Sequence, residues 1–198
     1  MLAAFAPPAL ADPLRLVAIG DSLTAGYGLA GEDGFVPQLD RGLAGRGHDD
    51  VEVVNMGVSG DTTAGGRARL DWALADGADA VLLALGANDM LRGIDPGVAR
   101  GNLDAMLARL AEDDLPVLIA GMIAPANYGP DYKEAFDGMY PELARDHGAL
   151  LYPFFMEGVI GEPGLMQPDG LHPNAAGVLR MVEEIGPKVL ELIARVEP

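Results

Sequence analysis

The sequence predicts a three-layer α/β/α fold around a five-stranded parallel sheet. Three observations carry this. Strand-like and helix-like segments alternate along the chain, the pattern that right-handed βαβ crossovers leave. The clearest strand candidates, residues 14–19 (LRLVAI) and 80–85 (AVLLAL), are apolar runs broken only by Arg15, as strands buried on both faces require. The length of 198 residues, 49% of them apolar, suits one domain with a full core.

Each element has its own signal. Residues 1–11 (MLAAFAPPALA) are apolar and end in Ala9-Leu10-Ala11, a small-x-small pattern that precedes signal-peptide cleavage. They are too short to span a bilayer and lack a basic start. We expect a signal-peptide remnant or a loose arm, a periplasmic or secreted protein, and a single domain over residues 12–198. The first strand follows at 14–19. Apolar residues at helical spacing cover 35–43, and residues 51–56 (VEVVNM) read as a second strand. Residues 62–74 read as a helix capped by Asp61 or Thr62. The most apolar run, 80–85, is the expected central strand. Asp95 as N-cap and Pro96 at the first helical position open a helix to about residue 111. Strands are expected at 117–121 and 149–152, with a helix at 132–147 between them. The last helix starts after Pro173-Asn174, with Val178, Met181, Val182, Ile185, Val189 and Leu192 on one face. Gly186-Pro187 should kink it.

Charge and composition exclude several function classes. Thirty acidic residues against thirteen basic ones give a net charge of −17, a field that repels nucleic acid and anionic lipid. We expect neither a nucleic-acid partner nor stable membrane insertion. The absence of cysteine removes thiol catalysis, disulfides and thiolate metal sites. His48, His147 and His172 show no metal-ligand spacing, and His48 and His147 fall in polar segments expected to be exposed. The run from Gly26 to Gly31 fits G-x-G-x-x-G, with Asp49 about twenty residues on. It begins six residues past the strand, however, and Asp21-Ser22 occupy the turn where a dinucleotide would sit. No cofactor or metal is expected, and the oligomeric state is left open.

Four polar motifs fall where a parallel sheet binds ligands, at the carboxyl ends of its strands. Gly20-Asp21-Ser22-Leu23 follows the first strand, and the segment from Asn55 to Asp61 (NMGVSGD) follows the second. Gly86-Ala87-Asn88-Asp89 follows the third. Asp169-Gly170-Leu171-His172-Pro173-Asn174 precedes the last helix. Singly, these are a helix cap, turns and a capped helix start. Together they supply acyl-transfer chemistry. A serine hydroxyl needs an adjacent base, and His172 is the candidate for Ser22. Asp169, three residues earlier, can orient the imidazole and stabilise its charged form. The order Ser, Asp, His occurs in α/β hydrolases, but the G-x-S-x-G elbow is missing.

The four blocks resemble those of the SGNH hydrolases, also called GDSL-type, from about residue 16 to the C-terminal helix. Ser22 matches the first block, Gly60 the second, Asn88 the third and His172 the last. GDSLTAGYGL, the Asn88 block and DGLHPN are most similar to the exported bacterial thioesterase/arylesterase/lysophospholipase group. Ala87, where that group often has glycine, and Pro168, before the acid, depart from it and bear on loop stiffness. The resemblance implies a flavodoxin-like five-stranded sheet and a catalytic triad of Ser22, Asp169 and His172. It also implies an oxyanion hole from the backbone N–H groups of Ser22 and Gly60 and the amide of Asn88. The expected function is a serine esterase for small or lipid-like substrates: aryl and alkyl esters, lysophospholipids and acyl thioesters. A carbohydrate O-deacetylase on the same fold and a non-catalytic flavodoxin-like binding module are the alternatives. The loops at residues 90–95 and 122–131 should shape the acyl pocket, and the resemblance implies that residues 90–94 are mobile. Met56, Met90, Met122, Met139 and Met166 are candidates to line it.

Overall fold

The computed structural model describes residues 13–196, so the expectations for residues 1–11 lie outside the described residues. Five strands pair in parallel: β1 (Leu14–Gly20), β2 (Val51–Gly57), β3 (Ala80–Ala84), β4 (Val117–Ala120) and β5 (Leu150–Tyr152). Their order is β2-β1-β3-β4-β5. The chain leaves β1 for one edge, returns past it to β3, then proceeds to the other edge. The reversal opens a crevice at the carboxyl ends of β1 and β3, where open α/β sheets bind ligands.

Strand side chains alternate between two cores. Leu16 and Ala18 of β1, Leu82 of β3 and Leu118 of β4 face one cluster. It is closed by α2 (Phe35–Ala44) and α8 (Ala175–Ile193). Val17, Ile19, Val81, Leu83 and Ile119 face the other. That side is covered by α6 (Pro96–Glu112), α7 (Pro130–His147) and the short helices α3 (Thr63–Ala68) and α4 (Leu70–Ala73). Leu16, Val17, Ala18 and Ile19 have no solvent-exposed surface, which explains why β1 reads as apolar from Leu16 onward, while Arg15 lies at its partly exposed start.

Two expected elements differ. The helix expected at 62–74 is broken between α3 and α4 at Arg69, whose φ is −112°. The Arg69 guanidinium turns inward instead, donating to the Asp61 carboxylate at 2.6 Å, Met56 O at 2.8 Å and Gly20 O at 3.0 Å. Those bonds tie the ends of β1 and β2 together. The last helix runs on through Gly186-Pro187 without interruption, its nine buried residues holding it against the sheet. Two short helices escaped the sequence pattern: α1 (Ser22–Ala25) and α5 (Ala87–Leu91), each beginning inside a polar motif.

Candidate active site

Ser22 is the first residue of α1, directly past the end of β1. Asp21 caps this helix, its Oδ1 accepting the Leu23 N–H at 3.0 Å. The approach is close: any side chain at position 20 would collide with Thr24. Gly26 ends α1 in the left-handed conformation, so the first glycine of the G-x-G-x-x-G run serves as a helix cap.

His172 reaches Ser22 from the loop before α8. Its Nε2 lies 2.9 Å from Ser22 Oγ, and its Nδ1 lies 2.7 Å from Asp169 Oδ2. An ionised carboxylate only accepts, so Nδ1 carries the proton and Nε2 is left to accept from the serine hydroxyl. Asp169 Oδ1 also accepts the backbone N–H groups of Leu171 (2.9 Å) and His172 (3.0 Å). The hydrogen bond from His172, aided by those backbone donors, holds its carboxyl down at about 2.

The turn that presents Asp169 is stiff for a legible reason. Gly170 N donates to Gln167 O at 3.0 Å, placing Pro168 at the second position of a tight turn, where its fixed φ fits. Pro168 therefore rigidifies the acid's turn. Gln167 anchors the loop further, donating from Nε2 to Tyr27 O (2.8 Å) and Pro173 O (2.9 Å). The Tyr27 ring packs on the His172 imidazole at 4.6 Å between centroids.

The second and third motifs border the same crevice. Gly86 has φ +118° and packs against Tyr140, whose hydroxyl occupies the space a side chain would need. This lets the chain turn from β3 into α5 and point Asn88 at Asp21. Asn88 Nδ2 donates to Asp21 Oδ2 at 3.3 Å. Asp21 is 2% exposed, and burial pushes its carboxyl up to about 6 against the bonds from Leu23 and Asn88. Gly60 has φ +85°, and its carbonyl accepts from Arg92 at 2.6 Å. Neighbouring Asp89, buried, accepts from the backbone N–H of Thr63 (2.8 Å) and its hydroxyl (2.6 Å). Asn102 Nδ2 completes this network on Thr63 Oγ1 at 3.1 Å.

A cavity of about 350 Å³ adjoins these groups, lined by Asp21, Ser22, Asn88 and His172 on its polar side. Its apolar wall comes from Leu23, Ala87, Met90, Met122, Phe154, Met156 and their neighbours. Of the five candidate methionines, most of which would by default fill the core, Met90 and Met122 line it. Met56, Met139 and Met166 do not, and Met139 is fully enclosed between α7 and the sheet. Met156 and Phe154, which sequence reading missed, take their place because the β5 loop folds back over the β1–β3 crevice. The methyl of Ala87 sits on the wall, where glycine would leave more room. The 90–95 loop is partly helical and tied by Ile94 N to Asp89 O (2.9 Å) and by the Tyr132 hydroxyl to Ile94 O (3.0 Å).

The remaining histidines lie elsewhere. His147 is only 19% exposed by side chain, more buried than its polar segment suggests, because Nε2 meets Asp104 at 2.8 Å. Among the described residues no group of three or more His, Cys, Asp or Glu is placed to hold a metal. The supporting residues that sequence reading passed over are Asp21, Thr63, Arg69, Asp89, Arg92 and Gln167. Only Asp21 and Asp89, each beside a motif residue at a strand end, carried a local signal.

Comparisons with known proteins bear on the family and the fold. Residues 18–179 match the GDSL-like lipase/acylhydrolase family. The chain is 42% identical over 179 residues to Esterase TesA of Pseudomonas aeruginosa, covering 90% of this chain and 89% of that one. It is 40% identical over 167 residues to thioesterase 1/protease 1/lysophospholipase L1 of Escherichia coli, covering 84% and 77% respectively. The crystal structure of AlinE4, an SGNH-hydrolase family esterase, superposes with a TM-score of 0.78 at 40% identity. It covers 92% of this chain and 98% of that one.

Proposed function

The chain belongs to the GDSL-like lipase/acylhydrolase family, and from that premise we propose that it hydrolyses carboxylic esters through an acyl-enzyme on Ser22. The observation that carries this reading is the continuous relay from Ser22 Oγ to His172 Nε2 (2.9 Å) and from Nδ1 to Asp169 (2.7 Å), opening on an apolar cavity. Ser22 Oγ attacks the ester carbon while its proton passes to His172 Nε2. The carbonyl oxygen becomes an oxyanion, met by the N–H groups of Ser22 and Gly60 and by Asn88 Nδ2. The C–O bond to the leaving group breaks, and His172 returns the proton to the departing alcohol. Water then repeats the sequence on the acyl-enzyme and frees the acid. Asp169, held ionised, stabilises the imidazolium in both halves.

The cavity wall supports acyl chains as the group bound beside the serine. Neutral aryl and alkyl esters fit the acidic field best. Lysophospholipids and acyl thioesters belong to the same chemistry. Periplasmic or secreted location is part of this proposal and is read by cell fractionation. Hydrolysis of p-nitrophenyl esters from acetate to palmitate tests the reaction. Turnover should rise with chain length until the cavity is filled and vanish in Ser22→Ala. Equal activity in the two proteins would contradict the proposal.

A further inference from the structure

Asp21 presents a physical puzzle. Its carboxylate is 2% exposed, and among the described residues no Lys, Arg or His forms an ion pair with it. Burying a charge without an opposite charge is costly. Capping α1 does not require it, since serine or asparagine accepts a backbone N–H equally well at that position. Oδ1 alone makes the capping bond, to Leu23 N at 3.0 Å. What remains is Oδ2, and its partner is Asn88 Nδ2 at 3.3 Å.

We propose that Asp21 is a positioning residue whose carboxylate locks the orientation of the Asn88 side-chain amide, so that an N–H and not the carbonyl faces the oxyanion. The amide has one donor end and one acceptor end of nearly equal size. A carboxylate accepts and cannot donate, so it holds the Nδ2 end and repels Oδ1. With one Nδ2 hydrogen taken by Asp21, the second stays free toward the cavity that Asn88 shares with Ser22 and His172. A neutral group at position 21 can also donate, and would bond Asn88 Oδ1 as readily as Nδ2. The amide could then turn over and set a carbonyl dipole against the developing negative charge. The charge at position 21 is what selects the productive orientation. This accounts for a buried carboxylate that capping leaves unexplained. The rise of its carboxyl to about 6 leaves it ionised at neutral pH, where the lock is needed.

This inference rests on the oxyanion role proposed for Asn88. Asp21→Asn keeps size and capping capacity while removing the charge. It should lower kcat roughly 10- to 100-fold, within the roughly 10²–10³ that one oxyanion donor is worth, with little change in KM. In an Asn88→Ala background the same substitution should change kcat less than about threefold, because the group it orients is gone. Asp21→Ser, which caps α1 but cannot hold Asn88, should behave alike. The thermal midpoint of Asp21→Asn at neutral pH should be no lower than that of the parent. Losses that multiply in the double variant, an effect confined to KM, or activity loss that tracks a lowered midpoint would each overturn the positioning role. Ser22→Ala separates the two claims. If it is inactive while the cycle is additive, only the inference about Asp21 fails. If it stays active, the acyl-enzyme proposal itself fails.

Discussion

Two aspartates near the crevice are shifted in opposite directions. Asp169, exposed but bonded by His172 and two backbone N–H groups, is held down at about 2. Its contribution to stability is present above the ordinary carboxylate value of 3.8 and is lost as pH falls through 2. Asp21 is raised to about 6 by burial. The folded chain binds that proton more tightly than the unfolded chain, so this group adds stability as pH falls from 6 towards 4. At neutral pH its ionised form costs on the order of 2–3 kcal/mol. Asp21→Asn should therefore melt several degrees higher than the parent at pH 7.5, with the difference shrinking at pH 4, in calorimetric scans. Asp169→Asn should keep the fold but favour the wrong imidazole tautomer, lowering kcat by about 10⁴-fold in ester hydrolysis. The candidate-site residues legible in sequence, Ser22, Asn88, Asp169 and His172, lie in short polar motifs abutting apolar strands or a helix cap. Gln167 was not legible, because its partner Tyr27 is 140 residues away and the contact runs to a backbone carbonyl.

At the scale of elements, β1, β3 and β4 were legible because burial on both faces leaves an apolar run, and β2 because buried Val51 and Val53 alternate with exposed Glu52. The helices α1 and α5 were not, since four or five residues show no periodicity. The break at Arg69 was hidden for a different reason. It depends on carbonyls 13 and 49 residues away, which local propensity does not register. The joint between α3 and α5 matters most for the site, because Asp89 holds the start of α3 just downstream of Gly60. Asp89→Ala strands the Thr63 N–H and hydroxyl in a dry interior. Each unsatisfied donor costs about 1–3 kcal/mol, so the two together should lower the thermal midpoint by roughly 4–24 °C for a domain of this size. The turnover should fall as well, as the Gly60 segment loses its anchor. An unchanged midpoint would show that the Thr63 donors find other partners.

Across the whole molecule the dominant property is charge. With thirteen basic residues against thirty acidic ones, the enzyme carries a field that disfavours anionic substrates at low ionic strength. Raising salt from about 20 mM to about 500 mM shrinks the screening length from roughly 20 Å to about 4 Å. The KM for an acyl-CoA thioester should then fall severalfold, while the KM for a neutral p-nitrophenyl ester changes little. Equal salt responses would show that charge near the crevice mouth, such as Arg92 on Gly60, offsets the overall field.

In the proposed mechanism Ser22 is a nucleophile activated by His172. Treating the protein with a fluorophosphonate and mapping the adduct by mass spectrometry tests it most directly. One phosphonyl group per chain is expected, on Ser22, with labelling slowed at least a hundredfold in His172→Ala. An adduct on another residue, or labelling of Ser22 at an equal rate without His172, would contradict it.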